Sequence, residues 1–452
     1  MTLLSKNSTP TYFQLQKERI GNKLKPNIYN ILRRKQVKKV GTLNTFPAPE
    51  QVSFTTRKMK GDVLVTDGHW RKSLAAVRGL GKRGIRVTVG ESTRLATAAF
   101  SKYCRRAVVY PSPTLKPQDF LDFLSMELRR HSYQMLLPME YETLALVASH
   151  REQFSRWTYL PFGPSEKLHF AQSKDKVLDL AERLGVPVPK TWHINDLSQL
   201  EAIKDRLPYP VVVKPRTGSG ALGISYPGDG ETLVRDYRSI HQVFPFPLIQ
   251  EFIPSNGPGY GASFLFDEKG QVKASFVHRR LREYPITGGA STLRESVRKD
   301  DVRDLALTLL KALDWFGVAM VEFKLDPRDG VPKLMEINPR FWGSLSLAVD
   351  AGVNFPYLMY RMSLGEEFDS VEDYPLGRRC RWLLPGDILH FIRNPGRGSL
   401  LPEFLRFWDK RTSYDICSRD DPLPMLATVL TLLTLVYDPD MRMRMKKRRR
   451  CL

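Results

Sequence analysis

The sequence predicts a mixed fold of α/β and α+β class: a parallel α/β domain first, a two-part α+β body next, and a mainly helical C-terminal extension. Three observations predict it. Strand and helix patterns alternate from Gly61 onward, a β-branched strand ending at Lys214 runs into a glycine-rich connector, and two late apolar segments each carry one glutamate. Alternation of that kind implies a parallel sheet covered by helices.

The first element is the apolar run Asp62-Val63-Leu64-Val65-Thr66, read as a buried strand. A turn at Asp67-Gly68-His69-Trp70 follows, then a helical pattern through Leu74, Ala75, Val77 and Leu80 that stops at Gly81/Gly84. Ile85 to Val89 is the next strand, followed by Val108-Val109-Tyr110, a helix around Phe120 to Arg130, and Met135-Leu136-Leu137-Pro138. Ligands commonly bind at the carboxyl ends of such strands. That nominates Asp67, Gly68 and His69 after the first strand and Glu140 and Glu142 after the later one, with helix capping as the competing role.

At 452 residues and 42% hydrophobic content the chain can form two or three packed domains. The net charge of +22 points to nucleic acid only until its distribution is seen. Residues 1–60 carry +11 and residues 441–452 carry +7, leaving +4 for everything between. The basicity belongs to the ends, which argues against nucleic acid as the partner of the body and makes anionic membrane lipid the candidate partner of the basic tails. Cys104, Cys380, Cys417 and Cys451 are widely spaced, so neither a zinc site nor a disulfide framework is expected. With no signal-peptide pattern, the expectation is a cytoplasmic protein. The apolar segment Met425 to Tyr437 is too short to span a bilayer, and with the cations behind it forms the candidate membrane contact.

From about Pro164 the pattern changes. A helix from Ser173 to Leu184 ends at Gly185-Val186-Pro187, and the strand Tyr209 to Lys214 leads into Pro215-Arg216-Thr217-Gly218-Ser219-Gly220-Ala221-Leu222-Gly223. Such a connector can aim backbone N–H groups at phosphate oxygens. It has neither the P-loop order nor the dinucleotide fingerprint. Later, Val318 to Asp326 and Met335 to Asn338 read as adjacent strands around a Pro-Asp-Gly turn, placing Glu322 and Glu336 on one face. Oxygen ligands of this kind suit Mg²⁺ bridging to phosphates. Between these halves, His278-Arg279-Arg280 leads toward a Gly288-Gly289 loop, so Arg279 and Arg280 are candidate contacts to an anionic substrate or a terminal phosphate.

The order of these pieces resembles the ATP-grasp superfamily, with Glu336-Ile337-Asn338-Pro339-Arg340 as the most specific part and about residues 61–360 covered. The resemblance implies a pre-ATP-grasp domain at 61–163 and an ATP-grasp domain at 164–365 with a lid at about 190–252. A basic tail at 1–60, an extension at 366–440 and a basic tail at 441–452 complete the division. It implies that Lys176 and Lys214 hold phosphates, with Lys174 a rival for the first role, and that Gly218, Ser219, Gly220 and Gly223 form the lid tip. It further implies that Gln250, Glu251, Phe252 and Ile253 form the adenine hinge. Glu322, Glu336 and Asn338 would hold one or two Mg²⁺ ions, with Mn²⁺ as a substitute, and Arg340 would bind the phosphorylated intermediate or the attacking acid.

By this resemblance the activity is an ATP- and Mg²⁺-dependent carboxylate–amine ligation through an acyl phosphate, with small-molecule acid and amine as partners. Two alternatives stand beside it. One keeps the fold but makes carboxyphosphate from bicarbonate; the other is a peripheral membrane or nucleic-acid module whose nucleotide site is regulatory.

Overall fold

In the computed structural model, residues 61–218 and 222–434 are described. The basic tails at 1–60 and 441–452 lie outside the described residues, as do Ser219 and Gly220.

The N-terminal layer is a four-stranded parallel sheet in the order β3-β2-β1-β4, formed by β1 (Asp62–Val65), β2 (Val87–Glu91), β3 (Cys104–Val109) and β4 (Tyr133–Leu137). β1, β2 and β4 are mostly buried because both faces are covered, whereas the edge strand β3 alternates half-buried and exposed residues. Val63 and Val65 pack with Leu74 and Val77 of the helix Arg71–Gly81, while Leu64 faces Phe120 and Leu124 of the helix Pro117–Arg130. The alternation read from the sequence is present, with β2 displaced by two residues toward Glu91.

A small antiparallel sheet follows, β5-β7-β6, built from β5 (Thr191–His193), β6 (Val211–Lys214) and β7 (Leu248–Glu251). Two helices, Leu197–Ile203 and Gly230–His241, cover it. Asp196 and Asp229 cap these helices by accepting from Ser198 and Thr232 amides. Leu200, Val211, Val213, Leu233, Tyr237, Ile240 and Ile249 form a core separate from the rest of the chain. A subdomain with its own core can move as a unit.

The largest sheet has seven strands in the order β12-β11-β8-β9-β10-β13-β14. These are β8 (Gly259–Phe266), β9 (Val272–Tyr284), β10 (Ala290–Ser296), β11 (Gly317–Leu325), β12 (Pro332–Asn338), β13 (Arg379–Arg381) and β14 (Thr412–Tyr414). One face carries Ala262, Phe264, Ala319, Val321 and Phe323 against the helix Asp300–Ala312 and the N-terminal layer. Gly317 starts β11 at φ +89 and lies against the Pro161 carbonyl, so this junction between layers has no room for a Cβ.

The regular structure of the extension is mostly helical, with helices Ile388–Arg393, Arg397–Phe404 and Leu423–Thr434. The sequence did not reveal two three-residue strands: β13 pairs antiparallel with β10, and β14 runs parallel to β13, so residues beyond 365 also lengthen the main sheet. Arg379-Cys380-Arg381 is short and charged and has no apolar period to reveal it. Its arginines are held by tertiary ion pairs to Glu295 and Asp387.

Candidate functional site

The site is built on the second face of the large sheet. Cross-strand pairing aligns Glu336 with Glu322, Glu322 with Gly261, and Gly261 with His278. Side chains of paired residues share a face, so two acids, a gap and a histidine form a row. Gly261 is the gap; an added Cβ there would collide with the His278 ring.

Asn338 lies two residues beyond Glu336 on the same face, and its Nδ2 donates to Glu322 Oε1 at 3.1 Å and to Glu336 Oε1 at 3.2 Å. The other carboxylate oxygens meet cations. Arg280 Nη2 pairs with Glu322 Oε2, and Lys174 Nζ is 3.1 Å from Glu336 Oε2. Burial, opposed by Arg280 and aided by Glu336, raises the Glu322 carboxyl above its ordinary range. Glu336 is lowered despite burial, because Lys174 and Lys214 hold its charge. Two acids with an amide oxygen close by fit a hard divalent cation that takes its remaining oxygens from phosphates and water.

The lysines correct one expectation. Lys176 is exposed on the helix Lys174–Arg183, whereas Lys174 reaches both Glu336 and the Gly218 carbonyl, the latter at 2.8 Å. Helical geometry turns positions two apart to different sides, so Lys174 occupies the place assigned to Lys176. Lys214, at the end of β6, is only 6% exposed. Burial, and next the charge of Lys174, push its ammonium down to about 7.

The arginines separate in the same way. Arg280 shares the face of Glu322, but Arg279 points to the opposite face, pairing with Glu295 at 2.7 Å beside Arg379. Strand alternation is the reason, and Arg279 is removed from the cluster. Arg340 follows β12 and donates through Nη1 to the Phe341 carbonyl at 2.9 Å, its buried Nε having no partner among the described residues.

In the glycine connector, Gly218 and Gly223 have φ of +110 and +71, and a Cβ on Gly223 would approach Phe244 and Pro215 to 2.9 Å. In the hinge, the Ile253 carbonyl accepts from Lys324 at 3.0 Å, leaving its N–H without an acceptor among the described residues. Phe252 packs edge-on against Tyr226, at 5.9 Å between centroids. Gln250 is buried and donates to Thr191, and Glu251 is engaged by Lys190, Lys333 and Arg328, so these two side chains hold the hinge in place.

The loop nominees in the N-terminal layer have structural partners. Asp67, at φ +57, accepts from the Met139 and Glu140 amides and from Thr143, tying the β1 loop to the β4 loop. The His69 amide donates to Glu91. Glu140 pairs with Lys72 at 2.9 Å, and Lys72 also donates to the Phe341 carbonyl that Arg340 uses. Sequence reasoning missed Arg71 and Lys72. The available signal was two cations opening a helix, where the macrodipole disfavours them.

A family model described as "ATP-grasp in the biosynthetic pathway with Ter operon" matches residues 265–383, spanning β9 to β13 and including both glutamates. That stretch of the chain is an ATP-grasp segment. Curated relatives of the chain include the N-terminal section of the carbamoyl phosphate synthase large chain of Methanopyrus kandleri, 25% identical over 222 residues, covering 46% of this chain and 38% of that protein. The large chain of Sulfurisphaera tokodaii is 25% identical over 49% of this chain and 22% of its own length. The chain therefore spans well under half of these relatives.

Among solved structures, the biotin carboxylase domain of the Hydrogenobacter thermophilus 2-oxoglutarate carboxylase, in complex with MgADP, ADP and bicarbonate, aligns with a TM-score of 0.58 at 15% identity. It covers 71% of this chain and 73% of that one. An L-amino acid ligase from Bacillus licheniformis aligns at TM-score 0.53 and 18% identity, over 67% and 74% of the two chains. These likenesses are of fold. The β5-β7-β6 subdomain has its own core, and the row lies on β8, β9, β11 and β12 of the large sheet.

Proposed function

We propose that the protein is an ATP- and Mg²⁺-dependent ligase that activates a carboxylate as an acyl phosphate for attack by an amine. The observation that carries this reading is the Glu322/Glu336/Asn338 oxygen cluster, flanked by Lys174, Lys214 and Arg280. In this reading the large sheet that bears the cluster is the floor of the site and the separately cored β5-β7-β6 subdomain is the lid. Glu322, Glu336 and Asn338 would hold the metal, which when bound neutralises phosphate charge.

In this reading Lys174 and Lys214 hold the phosphates and the Gln250–Ile253 segment receives the base. Gly218 to Gly223 close over the phosphates. Arg280 and Arg340 orient the acid so that its oxygen attacks the γ-phosphorus while ADP leaves. The amine nitrogen then attacks the acyl carbon, the C–O bond to phosphate breaks, and inorganic phosphate departs with loss of a proton from nitrogen. Acyl phosphates hydrolyse readily, which gives lid closure its purpose. Positioning and charge do the remaining work.

The test is a screen of carboxylate and amine pairs with the purified protein, scored for release of ADP and phosphate that needs both. Release of AMP and pyrophosphate would sink the acyl-phosphate route. The resemblance to carbamoyl phosphate synthase and biotin carboxylase folds favours a second reading, carboxyphosphate formation. ATP hydrolysis that requires bicarbonate and no organic acid would select it.

Among the described residues no helix is long and apolar enough to cross a membrane. A lipid contact of the C-terminal segment remains part of the proposal, because the helix Leu423–Thr434 exposes Met425, Leu426, Val429 and Leu430 ahead of the seven cations in 441–452. Sedimentation with phosphatidylserine vesicles, lost on deleting 441–452, is the expected result; equal binding to neutral vesicles would refute it.

A further inference from the structure

The helix Arg71–Gly81 opens with Arg71 and Lys72 and has no acid in its first turn. A helix N-terminus already carries partial positive charge from N–H groups without intrahelical acceptors. Two buried cations placed there conflict with local electrostatics, and such conflicts concentrate at functional sites. Lys72 is answered by Glu140. Arg71 is not answered in the same way.

The Arg71 side chain is 10% exposed, and its guanidinium lies over the Trp382 ring at 4.0 Å. Through Nη1 it donates to the Ser291 carbonyl and to Asp415 Oδ2, each at 3.2 Å. Asp415, however, is already held on both oxygens by Arg294, whose Nη1 is 2.6 Å from Oδ2. One carboxylate thus faces two guanidiniums. Asp415 supports Arg294 well enough to raise its pKa despite burial. Arg71 is instead pulled down to about 10, mainly by burial, with Asp415 opposing and Arg294 and Arg280 adding to the fall. Its Nε and Nη2 have no acceptor among the described residues, nor do the amide N–H groups of Arg71 and Lys72.

This group borders the cleft. A Cβ on Gly343 would come within 2.8 Å of Arg71 Nη2, so the loop following Arg340 passes directly against the guanidinium. Arg280, the partner of Glu322, is near enough to repel it. On the other side, Lys72 and Arg340 meet at the Phe341 carbonyl.

We propose that Arg71, backed by Trp382 and by the N-terminus of its own helix, receives an oxyanion group of the co-substrate, separate from the carboxylate that becomes phosphorylated. The proposal rests on the ligase reading above and narrows its substrates to acids that carry a second carboxylate or a phosphate. A guanidinium with two free N–H groups on one edge suits either oxyanion. The subsite draws on three parts of the chain: Arg71 from the N-terminal layer, Ser291 and Gly343 from the floor, and Trp382 and Asp415 from the extension. This gives residues beyond 365 a part in specificity.

The test uses the full chain saturated with Mg²⁺ and a non-hydrolysable ATP analogue, so that the γ-phosphate position is filled, and titrates sulfate by calorimetry against a chloride control. Saturable sulfate binding is expected in the wild type, at least tenfold weaker in Arg71→Met, with analogue affinity unchanged within twofold. Equal sulfate affinity in Arg71→Met, or no sulfate binding in the wild type, overturns the proposal. Failure of the wild type to bind the analogue overturns instead the nucleotide reading on which it rests. Should Arg71→Met not fold, Arg71→Lys keeps the charge without the fork and must weaken sulfate at least threefold for the proposal to stand. Once an acid substrate is found, Arg71→Met should raise KM for the two-anion acid and leave KM for ATP unchanged.

Discussion

Glu322 and Glu336 are direct cross-strand partners, and the Asn338 amide donates to both. Like charges opposite one another destabilise a sheet unless cations offset them, and Arg280 and Lys174 do so here. Glu336→Gln keeps the side-chain shape, so the chain should still fold, with a lowered melting temperature because Lys174 loses its carboxylate partner. Loss of a metal-binding oxygen should lower Mg²⁺-dependent turnover by about 100-fold or more. Turnover and melting temperature measured on the same preparation check this; activity near wild type would displace the metal from this cluster.

Lys214→Met should weaken ATP binding by roughly tenfold or more, the worth of a charge-assisted hydrogen bond. The wild type should also show a pH signature. With its ammonium pushed to about 7 by burial and by Lys174, Lys214 is largely neutral above that pH until phosphate restores the charge. ATP binding should then take up a proton, and affinity should fall as pH rises from 7 to 9. Calorimetry in two buffers of different ionisation enthalpy detects the uptake, which Lys214→Met should abolish.

Tyr226, in the subdomain proposed as the lid, donates to the Thr287 carbonyl at 2.8 Å, beside Gly288, where φ is +136 and an added Cβ would lie 2.9 Å from the Tyr226 hydroxyl. Tyr226→Phe removes that hydrogen bond, worth about 1 kcal/mol, so opening of the lid should rise roughly fivefold. Faster hydrogen exchange confined to residues 191–251 is the expected readout; unchanged exchange would mean that the lid is held elsewhere.

Burial, with Asp67 adding to it, raises the Glu91 carboxyl from 4.5 to about 7, while hydrogen bonds from Ser92 and His69 oppose the rise. Below about pH 4.5 both folded and unfolded chains carry the proton. As pH rises the unfolded chain ionises first, so the folded state loses up to roughly 3 kcal/mol by the time pH passes 7. Denaturant unfolding at pH 5 and pH 8 should show a smaller difference in Glu91→Gln than in the wild type; equal differences would remove Glu91 as the cause.

Local pattern reached a good part of this molecule. Apolar alternation located β1, β4, β6, β11 and β12, and strand parity put Glu322 and Glu336 on one face, because a period of two is a property of the strand alone. The same parity separates Arg279 from Arg280, two neighbours nominated together for one site, which the structure places on opposite faces. Choosing Lys174 over Lys176 required knowing which side of a helix faces Glu336. β13 and β14 carried no legible signal, since three residues are too few to show a period; β13 is charged and held by side chains of other elements, Glu295, Arg294 and Asp387.

What the sequence determined by itself is the set of elements and the paired carboxylates, because hydrophobic period, turn residues and residue spacing act within a few residues. Only the tertiary structure decided which cations meet those acids, and that Arg71 and Arg294 share a single carboxylate. Burial and Coulomb energy depend on neighbours far apart in the chain: Arg71 and Asp415 are separated by 344 positions yet lie 3.2 Å apart.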